Sequence, residues 1–193
     1  KELGVIPADA ELSRHDPDVP EWESLSPDAR RFAVRAMEVF AGFLSHTDHH
    51  IGRLMDFLEE IGELENTIVM LVSDNGASAE GGPMGTTNEL QFFNNAPEPL
   101  EDSVKAIDEL GSPATFNHYP WGWTWAGNTP FRRWKRETYR GGACDPLLVH
   151  WPKGIKHSGQ VRSQYAHIID IVPTVLDALG IDPPATNRGV RQS

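Results

Sequence analysis

The sequence predicts an α/β fold, with helices on both faces of a mostly parallel sheet, and three stretches carry that prediction. Thr67-Ile68-Val69-Met70-Leu71-Val72 is an unbroken run of apolar or β-branched residues between Asn66 and Ser73. Its length and its lack of alternation read as a strand buried on both faces. Leu147-Leu148-Val149-His150-Trp151, closed by Pro152-Lys153-Gly154, reads as a second buried strand. Between Ser26 and Gly62 the apolar residues Met37, Phe40, Ala41, Leu44, Ile51, Leu54, Met55, Leu58 and Ile61 recur mostly at three- and four-residue steps, the signature of one helical face.

The first strand organises the rest through its carboxyl end, where the chain presents Asp74, Asn75 and Gly76. In open α/β sheets ligands bind outside that edge. A carboxylate and a carboxamide are hard oxygen donors, suited to Ca²⁺ or Mg²⁺ rather than to a soft metal. The same three residues also have the composition of a plain turn.

The remaining elements come in chain order. Residues 1–25 are rich in Pro, Asp and Glu, show no period, and predict an irregular surface segment anchored by Trp22. Ser26-Pro27-Asp28 marks a helix start, with Ser as N-cap, Pro at the first helical position and an acid in the first turn. The helix runs about 35 residues or breaks near Ser45-His46-Thr47. His46 and His50 share a face at i, i+4, but no zincin glutamate accompanies them, and solvated polar residues are the preferred reading. Residues 77–128 predict a long irregular region, interrupted by a short acidic helix from Leu100 to Leu110. Its aromatic residues, with His118 and Trp123 as candidate substrate contacts, form either a pocket wall or a satellite core that holds the loop down. Asn128–Arg136 concentrates four cations beside a turn, either an anion site with Gly141-Gly142 or a solvated basic loop. Asp170–Leu179 predicts an amphipathic helix with Asp170 as N-cap and Gly180 after its end. Residues 182–193 show no closing element.

Composition narrows the function. A net charge of −11 without a basic run argues against nucleic-acid binding. No apolar run approaches the ~20 residues of a membrane span. A lone cysteine, Cys144, excludes an internal disulfide framework. The chain opens at Lys1 without a methionine or a signal-peptide pattern, so it is expected to be a processed or excised piece.

Four stretches together resemble the type I sulfatases of the alkaline phosphatase superfamily: Asp48-His49-His50-Ile51-Gly52-Arg53-Leu54 through Asp74-Asn75-Gly76; Ala79-Glu80-Gly81-Gly82; Asn128-Thr129-Pro130-Phe131-Arg132-Arg133-Trp134-Lys135; and His167-Ile168-Ile169-Asp170-Ile171-Val172-Pro173-Thr174. The resemblance implies an alkaline phosphatase-like sandwich, hydrolysis of small-molecule sulfate monoesters, and one divalent cation, Ca²⁺, held in part by Asp74 and Asn75. It implies that Lys135 binds a sulfate oxygen and assists the leaving group. Two-zinc phosphatases carry Asp-His at the equivalent strand end, because imidazole suits zinc, so Asn75 favours a single hard cation.

Two departures qualify the match. The family commonly has Glu where this chain has Arg140 before Gly141-Gly142. The family's formylglycine motif, Cys/Ser-x-Pro-Ser/Ala-Arg, does not occur here, and Cys144, followed by Asp145-Pro146, is not the nucleophile. Residues 1–193 are therefore expected to be part of a sulfatase catalytic domain, with the nucleophile region upstream and the family's small C-terminal sheet both outside the chain. The isolated segment is expected to be inactive. The rival readings are a phosphonate or phosphate monoester hydrolase of the same superfamily, and a non-catalytic remnant acting as a binding domain. The compartment is not read from the sequence; a soluble protein of bacterial type, cytoplasmic or periplasmic, is the expectation.

Overall fold

The computed structural model describes residues 1–191, in two compact units, residues 1–158 and the stretch that begins at Gly159. In the first unit an irregular entry with a 3-10 turn at Trp22–Ser24 leads into helix α1 (Pro27–Glu60). The Ser26 hydroxyl accepts the Ala29 amide at 3.2 Å, satisfying one of the free donors of the first turn. Gly62, at φ +76°, turns the chain out at the other end. Both ends match the sequence expectation, and the helix passes Ser45-His46-Thr47 without a break. The buried face differs from the expected one. It is Ala29, Phe32, Ala33 and Ala36, confined to the first three turns, whereas Phe43, Leu44, Leu54 and Phe57 are exposed. Small alanines let other elements approach the helix closely, and that decides where it is covered.

After a 3-10 turn at Leu64–Asn66 come β1 (Val69–Val72), α2 (Leu90–Phe93), α3 (Leu100–Lys105), a 3-10 turn at Ile107–Glu109, α4 (Trp121–Gly127), α5 (Arg140–Ala143) and β2 (Leu147–His150). Strands and helices mix as an α/β chain should. The mostly parallel sheet is not what the described strands form, however. β1 and β2 pair antiparallel, with Val69 opposite His150 and Val72 opposite Leu147. The long excursion from Gly76 returns the chain to the strand end from which it left, so β2 runs back alongside β1. Burial on both faces also fails: β2 is exposed throughout, and Leu71 and Val72 are exposed on β1. In a two-stranded ladder each strand is an edge.

The second unit contains a 3-10 turn at Ile168–Asp170, helix α6 (Ile171–Leu179), and a hairpin of β3 (Thr186–Asn187) and β4 (Val190–Arg191). Gly180 closes α6 at φ +66°, as expected. Asp170 precedes the helix, but its carboxylate accepts the His167 amide at 2.8 Å rather than capping α6. The hairpin corrects the expectation of no closing element, within its described part. Arg188 and Gly189 both have positive φ, the requirement of the tight primed turn that matches strand twist. Gln192 and Ser193, part of the same expectation, lie outside the described residues.

Two clusters make the core of the first unit. Phe32, Ala36, Ile107, Leu110 and Tyr119 form one, with Val39, Leu100, Val104 and Trp123 packed around it. Val19, Ala79 and Trp134 form the other, flanked by Trp121 and Trp125. α4 is the wedge between them. Trp123 faces α1, where its indole N–H donates to the Ala33 carbonyl at 2.9 Å, while Trp121 and Trp125 pack on the second cluster. The aromatic stretch thus packs as a satellite core, one of the two expected roles.

Tyr119 gives the core a pH signature. Burial first, and the Glu80 carboxylate second, push its phenol up to about 12. An unfolded tyrosine ionises near 10, so its contribution to stability is complete below that pH and is lost as pH climbs from 10 towards 12. Alkaline titration of stability over that window is expected to show a loss of about 2–3 kcal/mol. Tyr119→Phe should flatten the tyrosine part of it. An unchanged alkaline limb in the variant would contradict the assignment.

Candidate active site

Of the residues expected from the sequence, Asp74 and Asn75 lie at the carboxyl end of β1 and the backbone of Lys135 is tied beside them, whereas His118 and Trp123 lie elsewhere. Beyond the ladder, the Ser73 amide donates to the Pro146 carbonyl at 3.2 Å and the Gly76 amide to the Gly142 carbonyl at 3.4 Å, so the Asp-Asn-Gly turn rests on the Gly141-Gly142 segment. The contact is backbone on backbone. A Cβ at Gly76 would overlap the Gly141 carbonyl, and a Cβ at Gly141 would overlap the Arg133 carbonyl, which is why these positions need glycine. Within the turn the Ser73 hydroxyl donates to the Asn75 carbonyl at 2.7 Å. The Asn75 amide nitrogen donates to the Gly76 carbonyl at 3.0 Å, which leaves its oxygen available as an acceptor.

Asn128 staples the basic stretch to this turn. Its side-chain oxygen accepts the Ala77 amide at 3.0 Å and its nitrogen donates to the Arg133 carbonyl at 3.0 Å. The next turn contains a cis Thr129–Pro130 bond and closes with the Phe131 amide on the Asn128 carbonyl at 2.8 Å. The Lys135 amide then donates to the Ala77 carbonyl at 3.2 Å. Lys135 is thereby tied by its backbone to a residue two positions beyond Asn75.

The four cations of this stretch do not form a free anion patch. Arg132 lies over the Tyr139 ring and Arg136 over Phe92, at 4.9 and 5.6 Å from the ring centres. Arg133, held at φ +63°, pairs with Asp16 at 3.1 Å and Asp18 at 2.9 Å. Lys135 Nζ lies 3.1 Å from Glu80. Arg140, where the family commonly has Glu, sits over Phe131 at 5.5 Å, so stacking rather than a salt bridge engages this position.

Asp74 is exposed, and among the described residues its carboxylate accepts no hydrogen bond. Asp145, at the start of the return strand, joins it at this end and was not expected from the sequence. Partial burial first, and the Asp74 charge second, hold its carboxyl above the usual carboxylate range. Open oxygens on Asp74 and Asn75, with like charge accumulating beside them, are the chemistry a hard cation fits. Two side chains are nevertheless far short of the six to eight oxygens that Ca²⁺ takes, and no group of three or more His, Cys, Asp or Glu among the described residues is arranged to hold a metal. The histidines of α1 form no such group among the described residues: His46 and His50 contact each other at 3.1 Å on an exposed face.

His118 is half-buried at the other end of this region. Its Nδ1 lies 3.1 Å from the Tyr119 carbonyl, and its backbone bridges to Thr86. It neighbours Gly81, where an added Cβ would come within 3.0 Å of the imidazole. Trp123, turned to α1, belongs to the helix packing of the first cluster.

A family model described as Sulfatase matches residues 9–181. The chain belongs to the sulfatase family. It is 28% identical over 184 residues to an arylsulfatase of Klebsiella aerogenes, covering 95% of this chain and 38% of the relative. It is 31% identical over 189 residues to an uncharacterized sulfatase of Schizosaccharomyces pombe, covering 95% and 32%. It is 26% identical over 182 residues to the human N-acetylgalactosamine-6-sulfatase, covering 90% and 27%. The chain therefore spans about a third of the length of these curated relatives. The family implies an alkaline phosphatase-like α/β fold. No described helix of this sulfatase chain is long and apolar enough to cross a membrane.

Sequence reasoning about this sulfatase chain also missed Asp16 and Glu80, the two buried carboxylates that face the basic stretch. Asp16 lies in a segment with no readable period, and its partner Arg133 is far away in the sequence. The available signal was charge accounting: a stretch of four cations that folds against a core needs acidic partners, and Asp16-Pro17-Asp18 is a compact source. The Asp16 side chain is fully buried and Arg133 is 17% exposed. Asp16→Asn leaves the guanidinium without its buried counter-charge and is expected to cost about 3 kcal/mol, read as a lower urea midpoint at unchanged m-value. A midpoint equal to that of the parent chain would refute the pairing.

Proposed function

We propose that this chain is part of a hydrolase of sulfate monoesters, and that Asp74, Asn75 and Lys135 act on the ester's sulfate group. The observation that supports it most is the junction at Ala77, whose carbonyl accepts the Lys135 amide two residues beyond the Asp-Asn pair. The turn that carries the hard oxygen donors and the backbone that carries the lysine therefore belong to one hydrogen-bonded unit. Sulfate-ester cleavage needs this combination, because negative charge on the peripheral and leaving oxygens must be neutralised as the S–O bond breaks. The names of the relatives, arylsulfatase and N-acetylgalactosamine-6-sulfatase, point to the same ester class.

In this reading Asp74 and Asn75 supply two of the ligands to one Ca²⁺, which when bound contributes positive charge beside the sulfate oxygens. Lys135 binds a sulfate oxygen and stabilises the departing alkoxide or phenoxide. His118 borders the substrate side. Trp123, whose ring faces α1, serves that side indirectly by fixing α4. The nucleophile, a formylglycine hydrate, and the remaining cation ligands come from sequence outside the chain. The 193-residue chain alone is accordingly expected to have no turnover and only weak Ca²⁺ affinity.

The test uses the longer protein and 4-nitrophenyl sulfate. Asp74→Ala and Asn75→Ala should each lower kcat/KM by at least about 100-fold, and chelation followed by Ca²⁺ should abolish and restore activity. A phenyl phosphonate ester assayed in parallel should be the slower substrate. Faster turnover of the phosphonate would reassign the ester class, and wild-type rates in both alanine variants would overturn the site.

A further inference from the structure

We propose that Glu80 is the positioning residue of the reaction: it holds the Lys135 ammonium at the place where the ester's sulfate binds. This inference rests on the proposed role of Lys135 and adds a residue to it. The two partners differ sharply in exposure. The Lys135 side chain is 35% exposed and that of Glu80 only 3%, with 3.1 Å between Nζ and Oε1. The carboxylate is therefore the fixed member of the pair and the lysine the one that can reach a ligand.

Glu80 is immobilised from every side. Its second carboxylate oxygen accepts the Ser78 hydroxyl. The backbone on which it sits is clamped by α4: Trp121 donates to the Ala79 carbonyl at 2.7 Å, and the fully buried Thr124 donates to the Ser78 carbonyl at 2.8 Å. Tyr119 packs close enough for the Glu80 charge to act on its phenol. Lys135 is restrained at its other end by the Ala77 carbonyl. A lysine side chain ordinarily samples many rotamers and loses them on binding. Here both ends are held before the substrate arrives. Its ammonium has three N–H donors; Glu80 takes one, leaving two for oxygens of the ester. A cation held in place before charge develops is worth more than one that must be recruited.

The experiment is a double-mutant cycle in the longer enzyme, with 4-nitrophenyl sulfate as the probe. Glu80→Gln keeps the shape of the side chain and removes its charge. It should lower kcat about 10- to 100-fold with a smaller change in KM, as a displaced catalytic group does. Lys135→Ala should lower kcat at least as much. The deciding value is Glu80→Gln in the Lys135→Ala background, where it should cost less than about 2-fold because the group it positions is gone. An equal fractional loss in both backgrounds means that Glu80 acts on folding alone and overturns the proposal. If Lys135→Ala is impaired but Glu80→Gln is not, the positioning role fails while the reading of Lys135 stands. If Lys135→Ala retains wild-type kcat, that reading fails and the positioning role with it. Should Glu80→Gln not fold, Glu80→Asp, which keeps the charge but shortens the reach by one methylene, goes through the same cycle with the same criteria.

Discussion

The close approach of Gly76 to Gly141, backbone against backbone, is the contact on which the rest of the site depends. It exists because Gly76 carries no Cβ to strike the Gly141 carbonyl, while the bare Gly141 in turn lets the Arg133 carbonyl approach from its other neighbour. With it in place, the turn after β1 and the segment before β2 lie in register. Asn128 can then bond both the Ala77 amide and the Arg133 carbonyl. Lys135 is delivered to the same place as a consequence. The strand pairing alone would not achieve this, since four residue pairs in an exposed two-stranded ladder make a weak platform. The glycines, the asparagine staple and the two tryptophan-lined flanks of α4 convert the end of a marginal ladder into a fixed geometry.

Charge then obeys a simple division. Every cation of the basic stretch is engaged, the arginines by aromatic rings or by Asp16 and Asp18, and the lysine by a buried glutamate. Asp74, by contrast, has no partner among the described residues, and its charge raises the neighbouring Asp145. The arginines' positive charge is thus consumed inside the fold, the half-exposed Lys135 keeps N–H donors beyond its Glu80 partner, and negative charge is left open at the strand end. Under the proposed function, a cation held there would add its positive charge to that of Lys135 beside the ester.

Much of this was legible in the sequence, and the reasons for the rest are physical. Helix α1 announced itself through its Ser-Pro start and terminal glycine, and α6 through its closing Gly180, because caps are local chemistry. The strands were legible as strands, but their direction was not: nothing in Leu147–His150 records whether it runs with or against Val69–Val72. The buried face of α1 was misjudged because exposed phenylalanines and leucines outweigh alanines in any apolar pattern, although alanine is what permits close packing. α4 was hidden as well, since Trp-Gly-Trp-Thr-Trp has neither a strong helical period nor a capping residue. Asp74 and Asn75 were singled out by their place at a strand end, and Lys135 by resemblance. Glu80 already stood in a motif stretch, but its pairing with Lys135, like that of Asp16 with Arg133, became visible only when distant segments were brought together, because an ion pair across such a gap leaves no local pattern.

The central claim is that the Asp-Asn turn and Lys135 address one anion. Its most direct test is a crystal structure of the longer protein grown with Ca²⁺ and soaked with sulfate, with the cation located by anomalous scattering. A cation is expected within about 2.3–2.6 Å of side-chain oxygens of Asp74 and Asn75, and a sulfate oxygen within about 3 Å of Lys135 Nζ. A sulfate bound elsewhere, or a cation that leaves Asp74 and Asn75 in solvent, would contradict it.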